Sequence, residues 1–109
     1  MLYHKNLLNA VAATVTEIFG EGKHADKQIK KLFLTNKKWG ARDRKFVAET
    51  IYEIVRWWRL LWECSGKAVS FKAGDIHRLI AVYLIIRGKE IPKFEEYSDL
   101  DIPGIMKRY

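Results

Sequence analysis

Three histidines, His4, His24 and His77, and one cysteine, Cys64, are the residues of this 109-residue chain best suited to metal or nucleophilic chemistry. Zinc sites draw His and Cys ligands from short, fixed separations, and none of these four stands at such a spacing from another. No metal is expected. Cys64 has no CxxC partner and cannot close an internal disulfide, which fits a reducing compartment. As a lone thiol it reads as a core or surface residue rather than a nucleophile. The carboxylates Glu95, Glu96, Asp99 and Asp101 have the chemistry of an acid–base pair, but they stand in a polar stretch that reads as solvated surface. The sequence contains no GxGxxG, GxxxxGKS/T or GxSxG run, so the phosphate-cradling loops and the nucleophile elbow are missing. The residues by themselves describe a helical binding module, not an enzyme.

Charge carries more information. Twenty Lys and Arg against 13 Asp and Glu give a net charge of +7. The window from Lys27 to Arg59 holds ten basic residues and three acidic ones, so it accounts for the whole excess. The stretch from Glu90 to Asp101 is acidic. A concentrated basic region suits a polyphosphate partner, because each neutralised phosphate releases condensed counterions. The alternative is a set of well-solvated lysine-rich helices.

The elements that must position these charges are helical. With 49% hydrophobic residues, four Trp and only two Pro, the chain has ample core material and few turn formers. One domain spanning residues 1–109 is expected. Leu7, Leu8, Val11, Val15, Ile18 and Phe19 recur at helical spacing and predict a helix from Tyr3 to Phe19, stopped by Gly20-Glu21-Gly22. A second runs from Ala25 to Thr35, with Ala25, Ile29, Leu32 and Phe33 inward and Lys27, Gln28, Lys30 and Lys31 outward. After the basic connection Asn36–Gly40, Val47, Ile51, Ile54, Trp58 and Leu61 form one seam and predict a central hydrophobic helix over 41–63, with Gly40 as its cap. The apolar run within 75–87 predicts a buried fourth helix, and Pro92 and Pro103 suit the first turns of two short C-terminal ones, near Lys93–Tyr97 and near Pro103–Lys107. The expectation is an all-α bundle of four main helices plus short C-terminal pieces. The longest apolar run, Leu79–Ile86, falls well short of the ~20 residues that cross a bilayer. Met1–Asn6 has no secretory pattern, so a cytoplasmic protein without membrane contact is expected.

The run from Gly40 to Arg56 resembles the signature helix of the NusB-like N-terminal domain of Sun/Fmu-type ribosomal RNA cytosine-C5 methyltransferases. In that family an Asp-Arg pair opens the helix, and an acidic residue, a Tyr and a closing Arg follow. Here they correspond to Asp43-Arg44, Glu49, Tyr52 and Arg56. Gly22–Lys27, with Asp26, resembles the family's lead-in to its second helix, and the likeness covers about Tyr3 to Arg87. One departure is Glu53-Ile54-Val55-Arg56, where the family often has Gly-Val-Leu-Arg.

The resemblance implies a NusB-like fold and an RNA-binding accessory domain that docks a methyltransferase onto ribosomal RNA. The methyl donor S-adenosylmethionine and the catalytic cysteines would belong to a C-terminal methyltransferase domain of the same parent chain. Cys64 matches neither cysteine motif, so no catalytic residue or cofactor is assigned to these residues. Candidate RNA contacts are Lys30, Lys31, Lys37, Lys38, Arg42, Lys45 and Arg59, with Trp39 as a stacking platform for an unpaired base or as a packing residue. Asp43, Arg44, Glu49, Tyr52 and Arg56 form the structural motif, with Arg44 and Arg56 either pairing the acids or touching RNA. The alternative function is a stand-alone NusB-like RNA or protein-interaction module of the transcription-antitermination type.

Overall fold

Apolar residues at a 3.6-residue period must be covered by other helices, and in this chain that requirement is met within two separate groups of helices. The computed structural model describes residues 4–109, and every regular element among them is helical. Tyr3, the expected start of the first helix, lies outside the described residues. By internal packing the chain divides into two compact units, His4–Arg56 and Trp57–Tyr109.

The first unit contains α1 (Lys5–Gly20), α2 (Ala25–Thr35) and α3 (Ala41–Arg56), each packed on the other two. Leu7, Leu8, Val11 and Val15 of α1, Ile29 of α2 and Phe46, Val47, Ile51 and Ile54 of α3 are buried, as their spacing predicts. Ile18, Phe19, Ala25, Leu32 and Phe33, also expected inside, are only half-buried. α2 has the predicted limits, and the carbonyl of Gly40 accepts the first backbone bond of α3 from Arg44 N–H at 3.0 Å, so Gly40 does occupy the cap position. Thr50 is fully buried on α3, and its hydroxyl has no hydrogen-bond partner among the described residues. A buried hydroxyl that has left water without finding an acceptor is a cost. Thr50→Val, which keeps the branched shape, is therefore expected to stabilise the protein by about 1 kcal/mol in urea melts. A loss of stability would reveal an acceptor for that hydroxyl.

The second unit contains α4 (Trp58–Ser65), α5 (Ala73–Ile86), a 3-10 turn (Glu95–Tyr97) and α6 (Ile102–Arg108). The expected single helix over 41–63 is thus two helices. Trp57, at φ −108° and ψ 24°, is outside helical geometry and serves as the N-cap of α4, its carbonyl accepting Leu61 N–H at 2.9 Å. No proline or glycine marks the break. Its cause is packing: α3 covers its apolar stripe with α1 and α2, whereas α4 covers its own with α5 and α6. Trp58, expected in the core seam, is half-buried, stacked on Phe71 at 6.2 Å and edge-on to Trp62 at 5.6 Å. The helix buried around most of its circumference is α5, in which Ile76, His77 and every residue from Leu79 to Ile85 are buried. Past its end Gly88, at φ +67°, takes the left-handed conformation while Lys89 N–H bonds Leu84 C=O at 2.8 Å, a helix stop that suits glycine.

The short helix expected near Lys93–Tyr97 is a single 3-10 turn, Glu95–Tyr97, and Pro92 lies three residues before it, buried in irregular chain. Within that turn Tyr97 is buried, and its hydroxyl meets His77 Nδ1 of α5 at 2.7 Å. Pro103 does lie in the first turn of α6, where the Asp101 side chain accepts Gly104 N–H at 3.2 Å. From the other end of α6 the Arg108 Nε donates to Cys64 C=O at 2.8 Å, which satisfies one of the last carbonyls of α4.

Candidate nucleic-acid interface

The orientation of α2 decides which cations of the first unit face solvent. Gln28 donates to Glu17 of α1 at 2.7 Å, and on the opposite flank Asp26 accepts the Tyr52 hydroxyl of α3. With Ile29 buried between these flanks, the 100° step per residue turns Lys27, Lys30, Lys31 and Leu34 outward on one stripe. All four are exposed, and Leu34 retains 63% of its accessible surface. Both flanking contacts also occupy acids. Asp26 stands four residues before Lys30, the spacing at which a carboxylate ordinarily pairs with a lysine, yet it is engaged by Tyr52 instead. That bond, with partial burial and the nearby carboxylate charge, holds the Tyr52 hydroxyl above the usual tyrosine range. Two residues from separate parts of the sequence motif, Asp26 and Tyr52, thus meet each other, and both act in joining α2 to α3.

Beyond Thr35 the chain turns sharply. Asn36 donates its side-chain amide to Leu32 C=O at 2.9 Å, and Trp39 N–H bonds Asn36 C=O at 3.1 Å. Lys37 and Lys38 occupy the tip of this turn and are exposed. Trp39 is not an open stacking platform. Only 8% of it is accessible, and its ring meets Phe33 edge-on at 6.4 Å. What remains of its surface borders an open groove of about 530 Å3 shared with Asn6, Leu34, Asn36, Lys37 and Lys38.

On α3, Arg42 and Lys45 are exposed, and Lys45, Glu49, Tyr52 and Arg56 follow one another along its outer stripe. Asp43 is half-buried in the first turn, where its charge suits the positive helix end, and Arg44 is exposed. Glu49 is half-buried, and Arg56 is exposed in the last turn. Arg59 is exposed on α4, in the second unit, whereas the other candidates belong to the first. Within the first unit the structure brings together Lys27, Lys30, Lys31, Lys37 and Lys38. Exposed Leu34 and Asn6 were not legible as parts of a site, because each sits where only the packing of α2 and the turn makes it a neighbour of lysines.

The chain matches no protein-family model, no curated protein and no solved structure. The likeness to NusB-like domains is carried by the motif residues alone. Among the described residues no three His, Cys, Asp or Glu side chains are grouped to hold a metal, and no helix is long and apolar enough to cross a membrane. Cys64 is buried in α4, where burial and then the Glu63 charge push its thiol up, the reverse of what activates a nucleophile.

Proposed function

We propose that the first unit binds RNA through its phosphates and that the chain is an accessory domain of an S-adenosylmethionine-dependent ribosomal RNA (cytosine-C5) methyltransferase, acting in the cytoplasm. The observation that carries the RNA reading is the grouping of five exposed lysines, Lys27, Lys30, Lys31, Lys37 and Lys38, on α2 and the turn after it, beside acids already engaged by Gln28 and Tyr52. The unit as a whole holds eleven Lys and Arg against six Asp and Glu, a field that concentrates a polyanion at its surface. The methyltransferase partner rests on the resemblance of Asp43-Arg44, Glu49, Tyr52 and Arg56 to the family motif. The methyl donor and the catalytic residues belong to the enzyme domain; the residues described here bind and orient.

Lysine contacts to phosphate weaken with salt in proportion to their number. The double variant Lys37→Ala/Lys38→Ala is expected to bind ribosomal RNA fragments more weakly and to flatten the log–log salt slope by about 2, measured by fluorescence anisotropy across a salt series. Unchanged affinity and slope would remove both lysines from the interface.

A second reading, a protein-interaction module of the antitermination type, is favoured by one feature of the second unit. Trp57 and Tyr109 are both exposed beside an apolar recess of about 170 Å3 that is also lined by Leu60, Leu61, Tyr83 and Ile86. Binding there would resist salt and would be lost in Trp57→Ala, which separates it from phosphate binding.

A further inference from the structure

Along the lysine stripe of α2 one residue breaks the pattern. Leu34 is apolar and 63% exposed, and it lies where the stripe reaches the turn of Lys37 and Lys38. If the face served only to hold the phosphates of a duplex, a lysine or other polar residue there would fit better, since a backbone contact gains nothing from an aliphatic side chain. The groove beside Leu34 supplies what a base would use instead. Its volume of about 530 Å3 lies in the range of small-ligand sites. One border is the small accessible part of Trp39, and another is the exposed Asn6, whose amide offers a donor and an acceptor together. Lys37 and Lys38 line the same groove.

We propose that this groove receives one unpaired nucleotide of the RNA. The base lies against Leu34, Asn6 reads its hydrogen-bonding edge, and Lys37 and Lys38 hold the adjoining phosphates. A paired base cannot enter, because its hydrogen-bonding edge is occupied and its faces are stacked. The inference rests on the RNA-binding reading and narrows it to single strands, loops or bulges.

The test compares a short unstructured RNA with a blunt duplex of the same length, both labelled and titrated with the full chain at one salt concentration. The single strand is expected to bind roughly tenfold more tightly. Leu34→Ala and Asn6→Ala, both at exposed positions, are each expected to lower single-strand affinity by roughly three- to tenfold, leaving duplex affinity and the salt slope unchanged. Circular dichroism melts of both variants check that the fold is intact. If both RNAs bind with a steep salt slope but Leu34→Ala and Asn6→Ala change nothing, the groove assignment fails and phosphate binding stands. If neither RNA binds in a salt-dependent way, the RNA reading fails and the groove assignment with it.

Discussion

Tyr97→Ala is expected to destabilise the protein by about 3–5 kcal/mol, the cost of emptying a buried aromatic site that cannot close over the gap. Tyr97 is the buried residue of the turn at Glu95–Tyr97, and its hydroxyl bonds His77 Nδ1 inside the second unit. Tyr97→Phe keeps the ring and removes only that bond, so it should cost about 1–3 kcal/mol. The same residue gives the protein an alkaline limit. Burial, and secondarily the Glu96 charge, push the Tyr97 hydroxyl far above its ordinary value. A group whose folded pKa is raised contributes stability that is complete below its unfolded value of about 10 and is lost as pH rises toward the folded one. Urea melts at pH 8 and at pH 10.5 should therefore show a loss at high pH that is smaller in Tyr97→Phe. An equal loss in both proteins would mean that Tyr97 is not the residue whose ionisation is suppressed.

Gly66→Ala is the second change of large effect. Gly66 follows α4 at φ +73°, a conformation that costs a residue with a Cβ about 1–2 kcal/mol. A Cβ there would also come within 2.9 Å of Arg108 Cζ, the guanidinium that donates to Cys64 C=O. Displacing it gives up a charge-assisted bond at the helix end, so the total is expected near 2–3 kcal/mol, against about 1 kcal/mol for Arg108→Ala. The two changes should not add. With Arg108 already truncated the three atoms nearest the Cβ are gone, and Gly66→Ala should then cost little beyond its backbone strain. Full additivity in a double-mutant cycle would show that the glycine and the guanidinium do not share that space.

The parts of the fold that were legible in the sequence are those set by local signals. α2 begins and ends where expected because Gly20-Glu21-Gly22 precedes it and a polar, basic turn follows, and α6 has Pro103 in its first turn as expected. The division of the 41–63 span at Trp57 was not legible, since Val55-Arg56-Trp57-Trp58 carries no helix breaker and the apolar seam stays in phase across it. Only the different packing partners of α3 and α4 separate them. The turn at Glu95–Tyr97 falls inside the span expected after Pro92, but its shortness was not legible, because it is fixed by Tyr97 reaching His77, twenty residues away in sequence. For the candidate interface, the exposure of Lys30 and Lys31 followed from helical spacing, and that of Lys37 and Lys38 from the polar, basic connection they sit in. The burial of Trp39 against Phe33 and the bond between Tyr52 and Asp26 depend on how the three helices meet, which spacing alone does not encode.

The placement of the four tryptophans gives the molecule a built-in optical division of labour. Trp39 is the sole indole of the first unit, shielded from water, while Trp57, Trp58 and Trp62 all lie in the second, with Trp57 open to solvent. Indole emission shifts to the blue in apolar surroundings, so Trp39 contributes a short-wavelength component and Trp57 a long-wavelength one. A dissolved quencher reaches Trp57 first and leaves Trp39 bright. The residual blue signal then comes from the two buried indoles, Trp39 and Trp62, and in Trp62→Phe it passes chiefly to the one that borders the groove between Leu34 and Lys38.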